Sequence, residues 1–281
     1  MALSIFTNGA AMSSMNALNK SNSILSTAME RLGTGKRINS AADDAAGLQI
    51  ATRLQGQVNG MSVAQRNVSD ATALMQTAEG AFDEVTNILY RMKDLSTQAA
   101  NDTNGTEERT AIVAEMTELQ GELGNIMTNT KYAGDVLFAD GAGKLEQGAL
   151  NFQIGADSSE TLEFDISTSV QAFNTSLDGL GTIAIADAAA AQGLITTMEG
   201  LLDDVGTLRS SIGANINRLG HTSANLANMK DNTSLGLGNI RDADFATEAT
   251  NMTRNQMLAQ TSMSMLKQAN SMSGMVMSLL G

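Results

Sequence analysis

The 281-residue sequence predicts a mainly α fold: an elongated rod of long antiparallel helices, bundled as in a coiled coil, with a small β-hairpin region and with the termini forming a helical pair. Three observations predict it. Apolar residues recur at strict sevens over a long segment in each half of the chain, the spacing that brings helices into coiled-coil contact. Proline, which breaks helices, is absent. Between the two long segments the pattern changes to alternation of apolar and polar residues, the period of a strand.

The elements follow in order. Met12, Met15, Leu18, Leu25, Met29 and Leu32 lie mostly at steps of three and four, and Gly33 and Gly35 interrupt them. Ser40 with Asp43 resembles a capping box and reads as a helix start. From there Leu54, Met61, Val68, Met75, Phe82 and Leu89 form one row, with Ala64, Ala71, Ala78, Val85 and Met92 three residues behind. A helix from Ser40 to Ala100 has about 60 residues and spans about 90 Å. Asn101 to Gly105 is a turn, and a shorter helix covers Glu107 to Asn129. Leu150, Phe152 and Ile154, then Leu162, Phe164 and Ile166, predict a hairpin with one apolar face; Val136 to Phe138 adds a short strand. Met198, Val205, Ile212, Leu219 and Leu226 resume the sevens, with Leu201, Leu208 and Met229 as companions. Gly236-Leu237-Gly238 is expected to break that helix. The last segment holds Phe245, Met252, Ala259, Leu266 and Leu280 in one register, with Ser273 its polar member. The layout is symmetric about the middle, which brings the two inner helices together and the two end helices together.

Composition narrows the function. Aromatics are only 3% and tryptophan is absent, so Leu, Ile, Val, Ala and the 18 Met must form the core. No cysteine is present for a disulfide or a thiolate metal site. A net charge of −13 leaves no basic stripe to neutralise phosphates, so nucleic acid is not an expected partner. No apolar run reaches the ~18–20 residues of a membrane span. The opening MALSIFTNGAAMSSM has neither basic n-region nor continuous h-region, so export without a conventional cleaved signal is expected. The absence of proline also removes slow cis/trans isomerisation, which would help a chain that refolds after unfolded transport.

The termini are unusual. Up to Met29 the only charged side chain is Lys20, and from Asn255 onward it is Lys267. Helices with so little charge draw their stability from packing, and exposed apolar patches mark association sites. Two outcomes stay open on pattern alone. The ends can be disordered in the monomer and order as the inner core of an open helical polymer, or they can complete one intramolecular bundle.

Motifs for catalysis do not assemble. His221 is the only histidine and HExxH is absent. Gly33-Thr34-Gly35-Lys36 and Gly141-Ala142-Gly143-Lys144 lack Walker spacing and read as turns. Asp43-Asp44 and Asp203-Asp204 read as solvated or helix-start acids. No enzyme activity, cofactor or metal is expected.

Arg37 to Gly47 (RINSAADDAAG), with Asn8, Ala17, Leu18 and Leu25, resembles the N-terminal signature of bacterial flagellins. Ile240 to Glu248 (IRDADFATE), with Met252, Gln268-Ala269-Asn270 and Leu279-Leu280, resembles the C-terminal one. The resemblance implies a secreted, extracellular filament subunit of a short form lacking the outer variable domains. Residues 1–40 and 237–281 would form the inner core domain, and 41–178 with 179–236 the helical rod domain. Leu18, Leu25, Leu32, Met252, Ala259, Leu266 and Leu280 would pack the core. The implied partners are further copies of the chain, an export chaperone on the C-terminal end, the filament cap and hook–filament junction proteins. Leu89 to Leu95 resembles the patch by which many flagellins engage the vertebrate innate flagellin receptor, with Arg91, Leu95 and Glu115 at the key positions; in the family the same patch serves subunit packing. Tyr90 stands where Gln is commoner, and Tyr132-Ala133-Gly134 lacks the family's usual Asn before Gly. A junction protein, a cousin with similar ends, is the competing expectation. A flagellin carrying a zinc protease would need more than His221.

Overall fold

A computed structural model describes residues 8–139 and 141–280, with side chains at 273 and 276–280 left out of the description. Six helices and two short antiparallel strand pairs are present among the described residues: α1 (Gly9–Thr34), α2 (Ala45–Ala99), α3 (Thr106–Asn129), β1 (Lys131–Tyr132), β2 (Asp135–Val136), β3 (Leu150–Gln153), β4 (Thr161–Phe164), α4 (Ser167–Asp178), α5 (Ala188–Arg241) and α6 (Phe245–Leu280). The chain divides into two compact units. One combines Met1–Val58 with Asp231–Gly281, and the other is Asn59–Lys230. The long helices α2 and α5 contribute residues to both.

In the first unit, α1 starts at Asn8, whose side-chain oxygen accepts from the Ala11 N–H at 3.2 Å. It ends at Gly35, where φ is 70°, a left-handed C-cap that glycine adopts without strain. Gly33 therefore lies inside the helix, and only Gly35 stops it. α2 begins later than Ser40. The Asp43 carboxylate instead accepts from the Ser40 and Asn39 N–H groups and from the Ser40 hydroxyl. Asp44 is the true cap, accepting from the Gly47 N–H at 2.8 Å. The turns between α1 and α2 and between α5 and α6 are laced together by backbone. Lys36 bridges Asp242 antiparallel, the Arg37 N–H donates to the Arg241 carbonyl, and the Ala243 N–H donates to the Gly35 carbonyl.

The expected break at Gly236-Leu237-Gly238 does not occur: α5 runs on to Arg241. Each helical glycine costs about 1 kcal/mol relative to alanine. Leu237 between them is buried at 4% exposure, so packing offsets that cost.

In the second unit both rows of sevens are inside. Met61, Val68, Met75, Phe82 and Leu89 of α2 are buried, as are Met198, Val205, Ile212, Leu219 and Leu226 of α5. Met229, expected with them, is exposed. The helices run antiparallel, as the order of their cross-links shows: Gln65 meets Lys230, Glu79 meets Arg209, and Lys93 meets Glu199. Arg209 binds Glu79 and Asp83 together, each at 2.9 Å. α3 returns antiparallel along α2, with Arg91 paired to Glu115 and Arg109 donating to the Ala99 carbonyl.

The middle of the chain caps this bundle. β3 and β4 pair in the register Leu150 to Phe164 and Phe152 to Leu162, so the alternating apolar residues share a face as expected. Asn67 of α2 donates to the Gln153 carbonyl at 3.0 Å. A Cβ on Gly60 of α2 would lie 2.8 Å from the Ala156 side chain, so the hairpin loop needs glycine there. Of the expected strand at Val136 to Phe138, only Val136 is extended in β2; Leu137 and Phe138 turn inward and are fully buried. The Phe138 ring lies 4.7 Å from Phe82, and Phe173 of α4 meets Phe82 edge-on at 6.2 Å. α4 has no counterpart in the sequence expectation. Its Val170, Phe173 and Leu177 form the buried stripe.

Candidate functional site

Two places collect the residues singled out by sequence. The first is the α1·α6 pair within the terminal unit. Its antiparallel sense is fixed at both ends: the Asn8 amide donates to the Ala269 carbonyl at 3.0 Å, and Arg31 binds Glu248 at 3.0 Å. Leu18, Leu25, Leu32, Met252 and Leu266 line the seam half-buried, and Ala259 is buried. The Leu280 side chain lies outside the described residues. The most buried seam positions are small or polar: Ser21, Ala28, Glu248, Asn255 and Ala269. Sequence reading missed these, although each sits three residues after a member of an apolar row. The register was the available signal; hydropathy carried little, because Ala is only weakly apolar and Ser, Asn and Glu are polar. Small residues let two backbones approach closely, so the pair buries a narrow stripe.

The outer surface of the pair stays apolar. Met12, Met15 and Met29, grouped by sequence with the leucines, point away from the seam and are about half exposed or more. Phe245 shares the register of Met252 yet is 64% exposed. Among the described residues, eleven large apolar side chains of α1 and α6 are at least 39% exposed, more than the pair covers. Of the two outcomes left open by the pattern, the ends do pair within one chain, and that pairing leaves these eleven side chains outside the seam. α6 is capped by Asp244, whose carboxylate accepts from the Thr247 hydroxyl at 2.7 Å and the Ala246 N–H at 3.0 Å. The Thr247 hydroxyl, then the Ala246 and Thr247 N–H groups, hold the Asp244 carboxyl below its ordinary range.

The second place is the Arg91 patch. Arg91 Nε and Nη2 both donate to Glu115 Oε1, at 2.9 and 2.6 Å, and both side chains are about half exposed. Exposed pairs of this kind contribute little to stability. Tyr90 beside them is exposed. Leu95 is not on the surface; at 2% exposure it lies in the core beneath. The accessible patch is therefore Arg91, Glu115 and Tyr90.

The remaining motifs have structural roles. Gly33 to Lys36 lies at a helix C-terminus, whose dipole repels phosphate. In the other glycine loop the Gly141 N–H donates to the buried Glu146 carboxylate at 2.7 Å. His221 is exposed on α5. Asp204 accepts from the Ser176 hydroxyl. Among the described residues no group of three or more His, Asp or Glu is placed to hold a metal, and no helix is long and apolar enough to cross a membrane.

These features define a class, a helical structural subunit with apolar surface on its end helices. The family-level comparisons make it specific. Residues 5–142 match the bacterial flagellin N-terminal helical region, and residues 195–280 match the bacterial flagellin C-terminal helical region. The chain is 39% identical over 254 residues to a flagellin of Halalkalibacterium halodurans, covering 90% of each. It is 33% identical to polar flagellin F of Vibrio parahaemolyticus over the whole of both chains, in a 382-position alignment longer than this chain, so that relative carries residues absent here. A putative flagellar hook-associated protein from Vibrio parahaemolyticus shares the fold at TM-score 0.56 and 14% identity, covering 71% of this chain and all of that one. The chain belongs to the bacterial flagellin family. It is a self-polymerising structural subunit of the flagellar filament, a component of motility and not an enzyme.

Proposed function

We propose that the α1·α6 pair builds the inner core of the filament, with residues 1–40 and 237–281 as the core domain and 41–178 and 179–236 as the helical rod domain. The observation that carries this is the excess of exposed over buried large apolar side chains among the described residues of α1 and α6. Water-exposed patches of this kind gain free energy when covered, at roughly 25 cal/mol per Å². Covering by further copies in a non-closing arrangement yields an open filament. Leu18, Leu25, Leu32, Met252, Ala259, Leu266 and Leu280 hold the pair together, and the methionines, Ile24 and Leu258 outside it meet neighbouring subunits. Filament growth outside the cell requires export, and the low-charge C-terminal helix is the segment an export chaperone would shield. The filament cap and hook–filament junction proteins are the further partners of such a subunit.

A fragment covering 40–235 tests the proposal. It is expected to stay folded and monomeric where the full chain, seeded with filament pieces, elongates. Filaments grown from that fragment would contradict the core assignment. Full-length chain that binds filament ends without propagating would instead favour a junction protein.

A second reading concerns Arg91 and Glu115. Their exposed, doubly hydrogen-bonded pair supports a role as a docking patch for the innate flagellin receptor in the monomer and for subunit packing in the filament, with Leu95 shaping it from below. Arg91→Ala with Glu115→Ala should reduce receptor signalling by the monomer at least tenfold. Unchanged signalling would refute the receptor role.

A further inference from the structure

The methionines are largely sorted by unit, with Met229 the exposed exception in the Asn59–Lys230 unit. Met61, Met75, Met92, Met116, Met127 and Met198, all in the Asn59–Lys230 unit, are between 0 and 4% exposed. On α1 and α6 the pattern reverses among the described residues: Met12, Met15, Met29, Met257, Met263, Met265, Met272 and Met275 are 48–61% exposed, while Met252 in the seam is half-buried. Met15 and Met29 lie two heptads apart on one flank of α1, and Leu258, Met265 and Met272 recur at sevens on a flank of α6. Exposed thioethers are therefore concentrated on the helices that carry the uncovered apolar surface.

We infer that these exposed methionines form an oxidation-sensitive switch on assembly, taking hydrogen peroxide as the co-reactant. A thioether sulfur lone pair attacks one peroxide oxygen and the O–O bond breaks. The sulfur gains a single oxygen and becomes a sulfoxide, and the other peroxide oxygen leaves as water after proton transfer. Sulfur is oxidised by two electrons and peroxide is reduced by two. The product is polar and chiral where an apolar, pliable side chain stood. Two-sided packing between subunits loses its fit, while the buried methionines of the other unit are shielded and the fold survives. With no cysteine in the chain, thiols do not compete for the oxidant. The inference rests on the proposed core role of α1 and α6, because only there would sulfoxide on these positions matter to growth.

The test oxidises full-length monomer with dilute hydrogen peroxide, maps sulfoxide by peptide mass spectrometry, and measures elongation from native seeds. Sulfoxide is expected first at Met12, Met15, Met29, Met257, Met263, Met265, Met272 and Met275, with elongation at least tenfold slower and helical content unchanged. Treatment with the two epimer-specific methionine sulfoxide reductases should restore elongation. A variant carrying Met→Leu at those eight positions should keep elongating after peroxide. Should that variant fail to assemble untreated, reductase rescue of the native chain still decides the matter. Equal elongation by untreated and sulfoxide-bearing chain would overturn the inference and leave the core role standing. Filaments in which these methionines stay as reactive as in the monomer would overturn the core role itself, and this inference with it.

Discussion

Phe82 sits where α2, the β2 segment and α4 converge, fully buried against Phe138 and Phe173. Phe82→Ala should cost about 3–5 kcal/mol, read as a lower urea midpoint for the Asn59–Lys230 unit. Ala133 has a different problem. With φ of 52° it precedes Gly134 at 95°, and together they form the two-residue turn joining β1 to β2. Such turns favour Asn-Gly because both residues need positive φ. The departure from the family's Asn at this position was visible in the sequence, and the turn gives it a physical meaning. Ala133→Asn should gain about 1 kcal/mol, measured by the same unfolding. At the terminal pair, Arg31 and Glu248 are the pair's charged cross-link, and Arg31→Ala strands a carboxylate with 10% side-chain exposure. The expected loss is about 1–3 kcal/mol, with slower seeded elongation as a second readout. Neither Arg31 nor Glu248 was legible beforehand, since an ion pair between residues so far apart in the chain leaves no local pattern.

Elements were legible where packing imposes a period. The sevens of α2 from Met61 to Leu89 and of α5 from Met198 to Leu226 are buried, while Leu54 is half-buried and Met229 exposed; the β3–β4 register follows from alternation alone. Glycine was misread in the opposite direction. Gly33, Gly236 and Gly238 lie inside helices, because a helix packed along one side tolerates glycine on another, while Gly35 stops α1 through its positive φ. α4 went unseen because its polar residues, Ser, Thr and Asn, are those of loops, and its three core residues make a stripe too short to stand out. Capping offers a test at this scale. The Asp244 carboxylate is held below its ordinary range, so its contribution is full above the unfolded value of about 3.9 and is lost as pH falls through the lowered folded value. The start of α6 should fray below that range, seen as amide exchange at Ala246 and Thr247. In Asp244→Ala the same amides should exchange fast at neutral pH. Protection that is unaffected by either change would remove Asp244 as the cap.

At the scale of the whole molecule, the symmetry of the sequence has a direct structural counterpart. The two ends of the chain meet in one unit, their reversal segments stitched by backbone bonds between Gly35–Arg37 and Arg241–Ala243. Pairing of the ends was foreseeable from the matched apolar rows. The narrowness of the seam was not, because it depends on Ser21, Ala28, Asn255 and Ala269 replacing large side chains at the closest approach. That narrowness leaves the methionines outside the seam. The most direct test is electron cryomicroscopy of filaments grown from the full-length chain. The proposed core role predicts α1 and α6 at the smallest radius, with Met15, Met257 and Met265 covered by adjacent subunits. Filaments that expose those side chains to solvent, or that place the terminal helices on the outside, would contradict it.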